Sequence, residues 1–404
     1  MTSAQESFYG LGIAPGLLSV IDGLKYTVPT PIQHKAIPSG IEGKDIIGIA
    51  QTGTGKTLAF GIPMVQRLAS QPQGRGLVLV PTRELALQVN EALVQLVPAF
   101  KMKTVVIIGG ESMHAQVQRL RASPRIIIAT PGRLLDHLSQ RLIQLNDISI
   151  LVLDEADRML DMGFLPQINR ILQLLPRERQ TMLFSATMPA SIVKIASQHM
   201  RLPVRTEIAP SGTAAELVSQ ELFVVRREMK GQLLGELLKQ YHGSVLLFVR
   251  TRRAARKAAG VLRQMGHAAA EIHADRSLAQ RKDALRGFKT GEYRILVATD
   301  IAARGIDVTG IELVVNYDLP DDPENYVHRI GRTGRAGQTG HAITLATPDQ
   351  GQDVRKIEQI IRATIPLSEH PDMPAEKFYA ASAPSAGGPK HRRRSFGSLR
   401  GRRR

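Results

Sequence analysis

Two tandem α/β units with parallel sheets, followed by a basic C-terminal tail, are what the sequence predicts. Three observations carry this. Short apolar runs alternate with segments of helical periodicity, as βαβ units do. The runs are apolar on both faces, which suits strands covered by helices on two sides. The scheme is then repeated after a break in the middle of the 404-residue chain.

The first unit, residues 1–205, contains "DIIGIA", "GLVLV", "TVVIIGG", "RIIIAT", "ISILVLDEAD" and "QTMLFSAT" as strands. Segments such as "RELALQVNEALVQLV" supply the helices between them. Residues 206–220 contain Pro, Gly, Ser and Thr and are weakly periodic, so they read as an exposed linker. The second unit, residues 221–374, has "SVLLFVR", "AAAEIHAD", "YRILVATD", "IELVVNY" and "HAITLATP". The tail, residues 375–404, is small and polar and then strongly basic, a composition that predicts disorder.

The net charge of +17 points to a polyanionic partner. Residues 390–404 hold one Lys and seven Arg, leaving +9 for the rest of the chain. Aromatics are few and Trp is absent, which disfavours stacking of successive bases and favours a grip on phosphates. With no cysteine, disulfides, cysteine-ligated zinc and thiol nucleophiles are excluded. No secretion signal and no membrane-length apolar run is seen, so a cytoplasmic location is expected.

Ligands of open parallel sheets sit beyond the carboxyl ends of strands, and the unusual residue clusters fall there. "AQTGTGKT", residues 50–57, follows an apolar run and opens a helix, the setting of a phosphate loop. Gly53 and Gly55 allow tight turns, Lys56 can reach the β and γ phosphates, and the Thr57 hydroxyl can bind Mg²⁺. Ala50 stands where the general pattern has Gly, yet removes none of these donors. In "ILVLDEAD", Asp154 can hold the Mg²⁺ shell and Glu155 can orient the attacking water. Read alone, three acids at a strand end would serve equally to solvate a turn. The second unit has "TRRAARKAAG" after its first run and no second cradle, so one nucleotide is expected.

"AQTGTGKT", "PTRELA", "TPGR", "DEAD", "SAT", "ATDIAARGID" and "HRIGRTGR" occur in this order. Over residues 8–345 the chain resembles a DEAD-box ATP-dependent RNA helicase, its pattern most similar to the bacterial RhlE type. The resemblance implies two RecA-like domains and accounts for Ala50, which that family carries at this position. It implies that Gln51, Thr52 and Thr54 belong to the ATP loop, that Gln33 of "YTVPTPIQ" reads the adenine edge with support from Thr30, and that Phe8 stacks on the base. From the residues alone, Gln33 would be exposed at a loop–helix junction. Lys25 stands where many members have Gly, in a turn where little consequence is expected.

The same resemblance implies that Arg332 and Arg335 face the γ-phosphate, that Asp307 approaches the ribose, and that His328 meets Asp157, Ser185 and Thr187 across the cleft. It places Thr82, Arg83, Gly109, Gly110, Thr130, Gly132 and Arg133 on the RNA path of the first domain, and Arg281, Thr299 and Arg304 on that of the second. Such contacts hold a backbone without reading sequence. One departure concerns "HADRSLAQR": Leu278 and Ala274 replace the family's Gln and Gly. Leu278 cannot hydrogen-bond, so RNA contact is expected to be weaker there, and a Gln in its place to restore it.

The reading is therefore a monomeric, RNA-stimulated ATPase that separates short duplexes. An ATP-gated RNA clamp and a DNA-directed helicase are the alternatives. Deleting residues 390–404 should weaken RNA binding and flatten its dependence on salt by several phosphate contacts' worth of slope. Titrations of a labelled strand at several KCl concentrations measure this, and an unchanged slope contradicts a tethering tail.

Overall fold

The computed structural model describes residues 7–50, 53–208, 218–303, 308, 310–334 and 340–379. Helices α1 (Pro15–Gly23) and α2 (Pro31–Ile41) precede strand β1 (Ile46–Ile49). Then follow α3 (Lys56–Ser70), β2 (Arg75–Leu79), α4 (Arg83–Leu96), β3 (Thr104–Ile107), α5 (Met113–Leu120) and β4 (Ile126–Ala129). The first domain continues through α6 (Pro131–Ser139), β5 (Ile148–Leu153), α7 (Ala156–Asp161), α8 (Leu165–Leu174), β6 (Gln180–Ser185), α9 (Ala190–His199) and β7 (Val204–Glu207). These strands form one parallel sheet in the order β3-β4-β2-β5-β6-β1-β7.

The second domain comprises β8 (Val218–Val224), α10 (Lys230–Gln240), β9 (Val245–Phe248), α11 (Arg252–Gln264), β10 (Ala269–Ile272) and α12 (Leu278–Thr290). It ends with β11 (Ile295–Ala298), α13 (Asp300–Ala303), β12 (Leu313–Asn316), α14 (Glu324–Ile330), β13 (Gly340–Ala346) and α15 (Gly351–Ile361). Its parallel sheet runs β10-β11-β9-β12-β13-β8.

Alternation along each strand divides the cores. In β5, Ile150 and Val152 enter one apolar cluster and Leu151 and Leu153 the other, on opposite faces of the sheet. In β9, Leu246 and Phe248 do the same against Val245 and Leu247. The helices start where the sequence supplies a cap. The Leu85 amide donates to Thr82 Oγ1 at 3.2 Å, and the Ala254 amide donates to Thr251 Oγ1 at 3.1 Å. The two domains thus use the same strand–Thr–helix turn, one within "PTRELA" and one after "SVLLFVR".

The boundaries differ from expectation. Strand β7 occupies residues 204–207 and β8 begins at 218, so both sheets reach into the expected linker. Pairing with β1 and β13 satisfies backbone groups that a linker would leave to water. Residues 375–379 likewise belong to the second domain rather than to the tail. Glu376 pairs with Arg226 at 2.6 Å, and Phe378 packs over Gly351. The basic stretch 390–404 lies outside the described residues.

Lys230, first residue of α10, is 4% exposed. Its Nζ donates to the carbonyls of Tyr317 and Leu345 at 2.7 and 2.8 Å, which ties the helix to the ends of β12 and β13. Burial pulls this ammonium down to about 8, against the attraction of Asp318. Between about 8 and the ordinary 10.5, the unfolded chain keeps a proton that the folded chain has lost. This group's contribution to stability therefore rises with pH across that window. Urea melts at several pH values should show the rise, and Lys230→Met should lose it while costing ~1–3 kcal/mol for two unsatisfied carbonyls.

Candidate active site and nucleic-acid interface

The loop between β1 and α3 bends through Gly53 and Gly55, both left-handed at φ 88° and 87°. A Cβ on Gly55 would lie 2.4 Å from Gln33 Nε2. Only Gly fits because Gln33 Nε2 donates to the Gly55 carbonyl at 3.0 Å. The Thr30 amide donates to Gln33 Oε1 at 2.9 Å. Both ends of the Gln33 amide are thus used, and the side chain is 4% exposed rather than open at a helix start. Thr30 Oγ1 is buried beside it with no partner. Ala50 is buried, its carbonyl accepting from Lys56 Nζ at 2.9 Å, while Thr54 and Thr57 are half-buried.

Phe8 differs from expectation. It is 2% exposed within the cluster that holds Leu11, Ile13 and Ile32, so its ring is not an open platform for a base. Apolar packing has claimed it. Gln51 and Thr52 lie outside the described residues.

Asp154, Glu155 and Asp157 follow β5 and are 3%, 5% and 7% exposed. Glu155 caps α7 in the left-handed region, φ 50° and ψ 51°. A non-glycine residue there costs about 1 kcal/mol, strain of a kind that collects at functional sites. Burial pushes the Asp154 carboxyl up to about 6, against the pull of Lys56. Burial also pushes Glu155 up, but the charges of Arg158, Lys56 and Arg332 outweigh it and hold this carboxyl below its usual range. Arg158 Nη1 donates directly to Glu155 Oε2.

Asp157 turns the other way. Its Oδ2 accepts from the Ala186 amide, the Thr187 amide and Thr187 Oγ1 at 3.1, 2.8 and 2.9 Å. Its own amide donates to Ser185 Oγ at 3.2 Å. The acidic loop and the Ser185–Thr187 strand end are therefore one hydrogen-bonded unit.

The second domain closes over this unit. Lys56, Glu155 and Asp157 line one small cavity with His328 and Arg332. Arg332 is 4% exposed, and its Nε donates to the His328 carbonyl at 3.2 Å. Arg329 has a different place. It is 1% exposed, and its guanidinium meets both oxygens of Asp300 at 2.6 and 2.7 Å and the Asp318 carbonyl at 2.5 Å. It braces α14 against α13. Arg335 and Asp307 lie outside the described residues.

On the other half of the first sheet, Thr82 caps α4 and is 7% exposed. Cβ atoms on Gly109 and Gly110 would lie 2.9 and 2.1 Å from the Arg83 guanidinium. The glycine pair therefore lets this arginine lie directly against the backbone. Arg133 Nη1 donates to the Glu111 carbonyl at 3.1 Å. Thr130 is 8% exposed, and a Cβ on Gly132 would meet only open space. In the second domain Thr299, 8% exposed, follows β11, while Arg304 lies outside the described residues. Arg281 crosses to the first domain, where its Nε donates to Glu84 Oε1 at 2.8 Å.

Three partners here escaped the sequence reading: Arg158, Asp300 and Glu84. All three lie within or next to the quoted motifs, but only folding shows which charge each one meets. Among the described residues, no three His, Asp or Glu side chains are grouped to hold a metal by themselves, and no helix is long and apolar enough to cross a membrane.

Residues 30–195 match the DEAD/DEAH box helicase family and residues 229–337 the helicase conserved C-terminal domain. The chain is 43% identical to the DEAD-box ATP-dependent RNA helicase CshA of Bacillus subtilis over 369 residues, 91% of this chain and 75% of that protein. It is 42% identical to the ATP-dependent rRNA helicase RRP3 of Debaryomyces hansenii, covering 91% and 77%. Its fold matches S. cerevisiae Dbp5 bound to RNA and ADP BeF3 with a TM-score of 0.80 and 31% identity, covering 90% of this chain and 95% of that one.

Gln33→Ala should free the Gly55 carbonyl and loosen the loop. The expected outcome is a KM for ATP raised about tenfold, with kcat changed less than about threefold. Steady-state ATPase assays at saturating RNA check this, and an unchanged KM removes Gln33 from nucleotide binding.

Proposed function

The chain belongs to the DEAD-box ATP-dependent RNA helicase family, and from that premise we propose how its residues divide the reaction. Residues 50–57 cradle the ATP phosphates, with Lys56 on the β and γ groups. Gln33 and Thr30 hold the adenine side, and the unpartnered Thr30 Oγ1 supports this assignment. Thr57 and Asp154 would hold Mg²⁺. Bound there, the ion neutralises phosphate charge and orients the γ group. The buried acids fit such a cation: Asp154 is drawn towards neutrality by its surroundings, and a positive ion would relieve that.

Glu155 positions and deprotonates the attacking water once the pocket is shut. Arg332, with Arg335 beside it in sequence, offsets charge on the γ-phosphate, and Asp307 meets the ribose. His328 couples this arm to Asp157 and so to Ser185 and Thr187. RNA lies along Thr82, Arg83, Gly109, Gly110, Thr130, Gly132 and Arg133, then Arg281, Thr299 and Arg304. Contacts there are to the backbone and independent of sequence. ATP binds the shut form better than the open one, RNA helps shut it, and loss of the γ-phosphate lets it reopen. The protein is proposed to act as a cytoplasmic monomer, with its C-terminal arginines as an RNA tether. Its motif pattern supports the RhlE type, although the relatives compared carry other names.

The observation that carries this reading is the shared cavity, in which Glu155 lies among cations from both domains. Glu155→Gln should keep ATP and RNA binding and lower turnover by about 10³-fold. ATPase assays with RNA, DNA or neither, followed by separation of a short labelled duplex, decide the rest. Robust turnover by the variant removes Glu155 as base. Equal stimulation by DNA favours a DNA-directed enzyme, and stimulation without strand separation favours a clamp.

A further inference from the structure

We propose that Leu278 is a positioning residue that draws the two domains together without RNA, so that the protein itself supplies part of the closure ATP hydrolysis requires. The inference rests on the ATPase reading above and on where this side chain lies. Leu278 is the first residue of α12 in the second domain, yet it is 8% exposed and belongs to the apolar cluster of the first domain, together with Leu85 and Ala86 of α4. One turn further along α12, Arg281 meets Glu84, the residue before Leu85. Residues three apart share a helix face. The start of α12 therefore offers an apolar group and a cation side by side to the start of α4.

The pairing is well enclosed. The side chains of Glu84 and Arg281 are 4% and 12% exposed. Gln280 does not take over the polar role expected at position 278. Its Oε1 accepts from the Ser277 amide at 3.0 Å while its own amide donates to Ser277 Oγ at 3.2 Å, so it closes a capping box. The structure thus corrects the expectation that Leu278 is an RNA-path residue lacking a donor. Its side chain is packed against protein.

Opening the cleft would return Leu278 to water, and solvent exclusion resists that. A contact of this kind multiplies the closed-to-open ratio by the same factor in every ligand state. The effect on turnover is large where the closed form is scarce and vanishes where RNA already saturates closure. Leu278 should therefore set the ratio of RNA-free to RNA-stimulated ATP hydrolysis.

Leu278→Gln separates the two roles. If the residue joins the domains, RNA-free turnover falls about tenfold, RNA-saturated kcat stays within about twofold, and the KM for RNA rises. Leu278→Met, which restores apolar volume, recovers most of the loss. If Leu278 is only a missing RNA contact, the Gln variant binds RNA more tightly and keeps its RNA-free turnover, which overturns the proposal. A second measurement needs no turnover. The chain has no cysteine, so Val94→Cys and Lys239→Cys give a unique pair of dye sites, one exposed position in each domain. With ADP and beryllium fluoride but no RNA, the high-transfer population should drop in the Leu278→Gln background. An unchanged population overturns the proposal even if the ATPase assignment stands, and a drop sustains it even if that assignment fails.

Discussion

Three carboxylates buried at the end of one strand need compensating charge, and the rest of the molecule is arranged around that need. Asp154, Glu155 and Asp157 are each less than a tenth exposed. Desolvation penalises their charged forms. The first domain answers with Lys56 and Arg158 and with the donors that surround Asp157. The second contributes Arg332, whose field reaches Glu155 across the cleft. Shutting the cleft and balancing the charge are one event.

Strand order separates the residues proposed for nucleotide from those proposed for RNA. In the first sheet β5, β6 and β1 are adjacent, and their ends carry the acidic loop, Ser185–Thr187 and the phosphate loop. The neighbouring strands β3, β4 and β2 end in Gly109–Gly110, Thr130 and Thr82. The second sheet is divided likewise: Arg281 and Thr299 follow β10 and β11, and Arg332 follows β12. Under the proposed assignment the nucleotide residues and the RNA residues fall on different strands of each sheet, and the domains meet on both sides, Arg332 at the acidic loop and Arg281 at Glu84.

Much of this was legible in the residues. Both-faced apolar runs mark fully covered strands, and β1, β4, β9 and β11 are buried along their whole length. The phosphate loop and the acidic loop were readable because their chemistry is local. What escaped depends on partners distant in sequence. Phe8 reads the same whether it stacks on a base or fills a core. Gly109–Gly110 could not be linked to Arg83 from spacing, nor Arg329 to Asp300, because each pairing spans a crossover. Lys25 looked unremarkable, but its φ of 60° shows why glycine is common in such a turn. The domain boundary moved because β7 is short and polar, with its pattern set by pairing to β1 rather than by its own composition.

The border between the halves of the first sheet is the β2–β5 ladder, which shifts register between Arg75 and Gly76 and then runs evenly to Leu79 and Leu153. Neighbouring strands are about 4.8 Å apart. The segment after Leu79 is thus held one strand spacing from Leu153, directly before Asp154, without any loop between them. The Asp154 amide donates to the Leu79 carbonyl at 3.0 Å, so shifting one segment against the other would require unzipping the middle of the sheet.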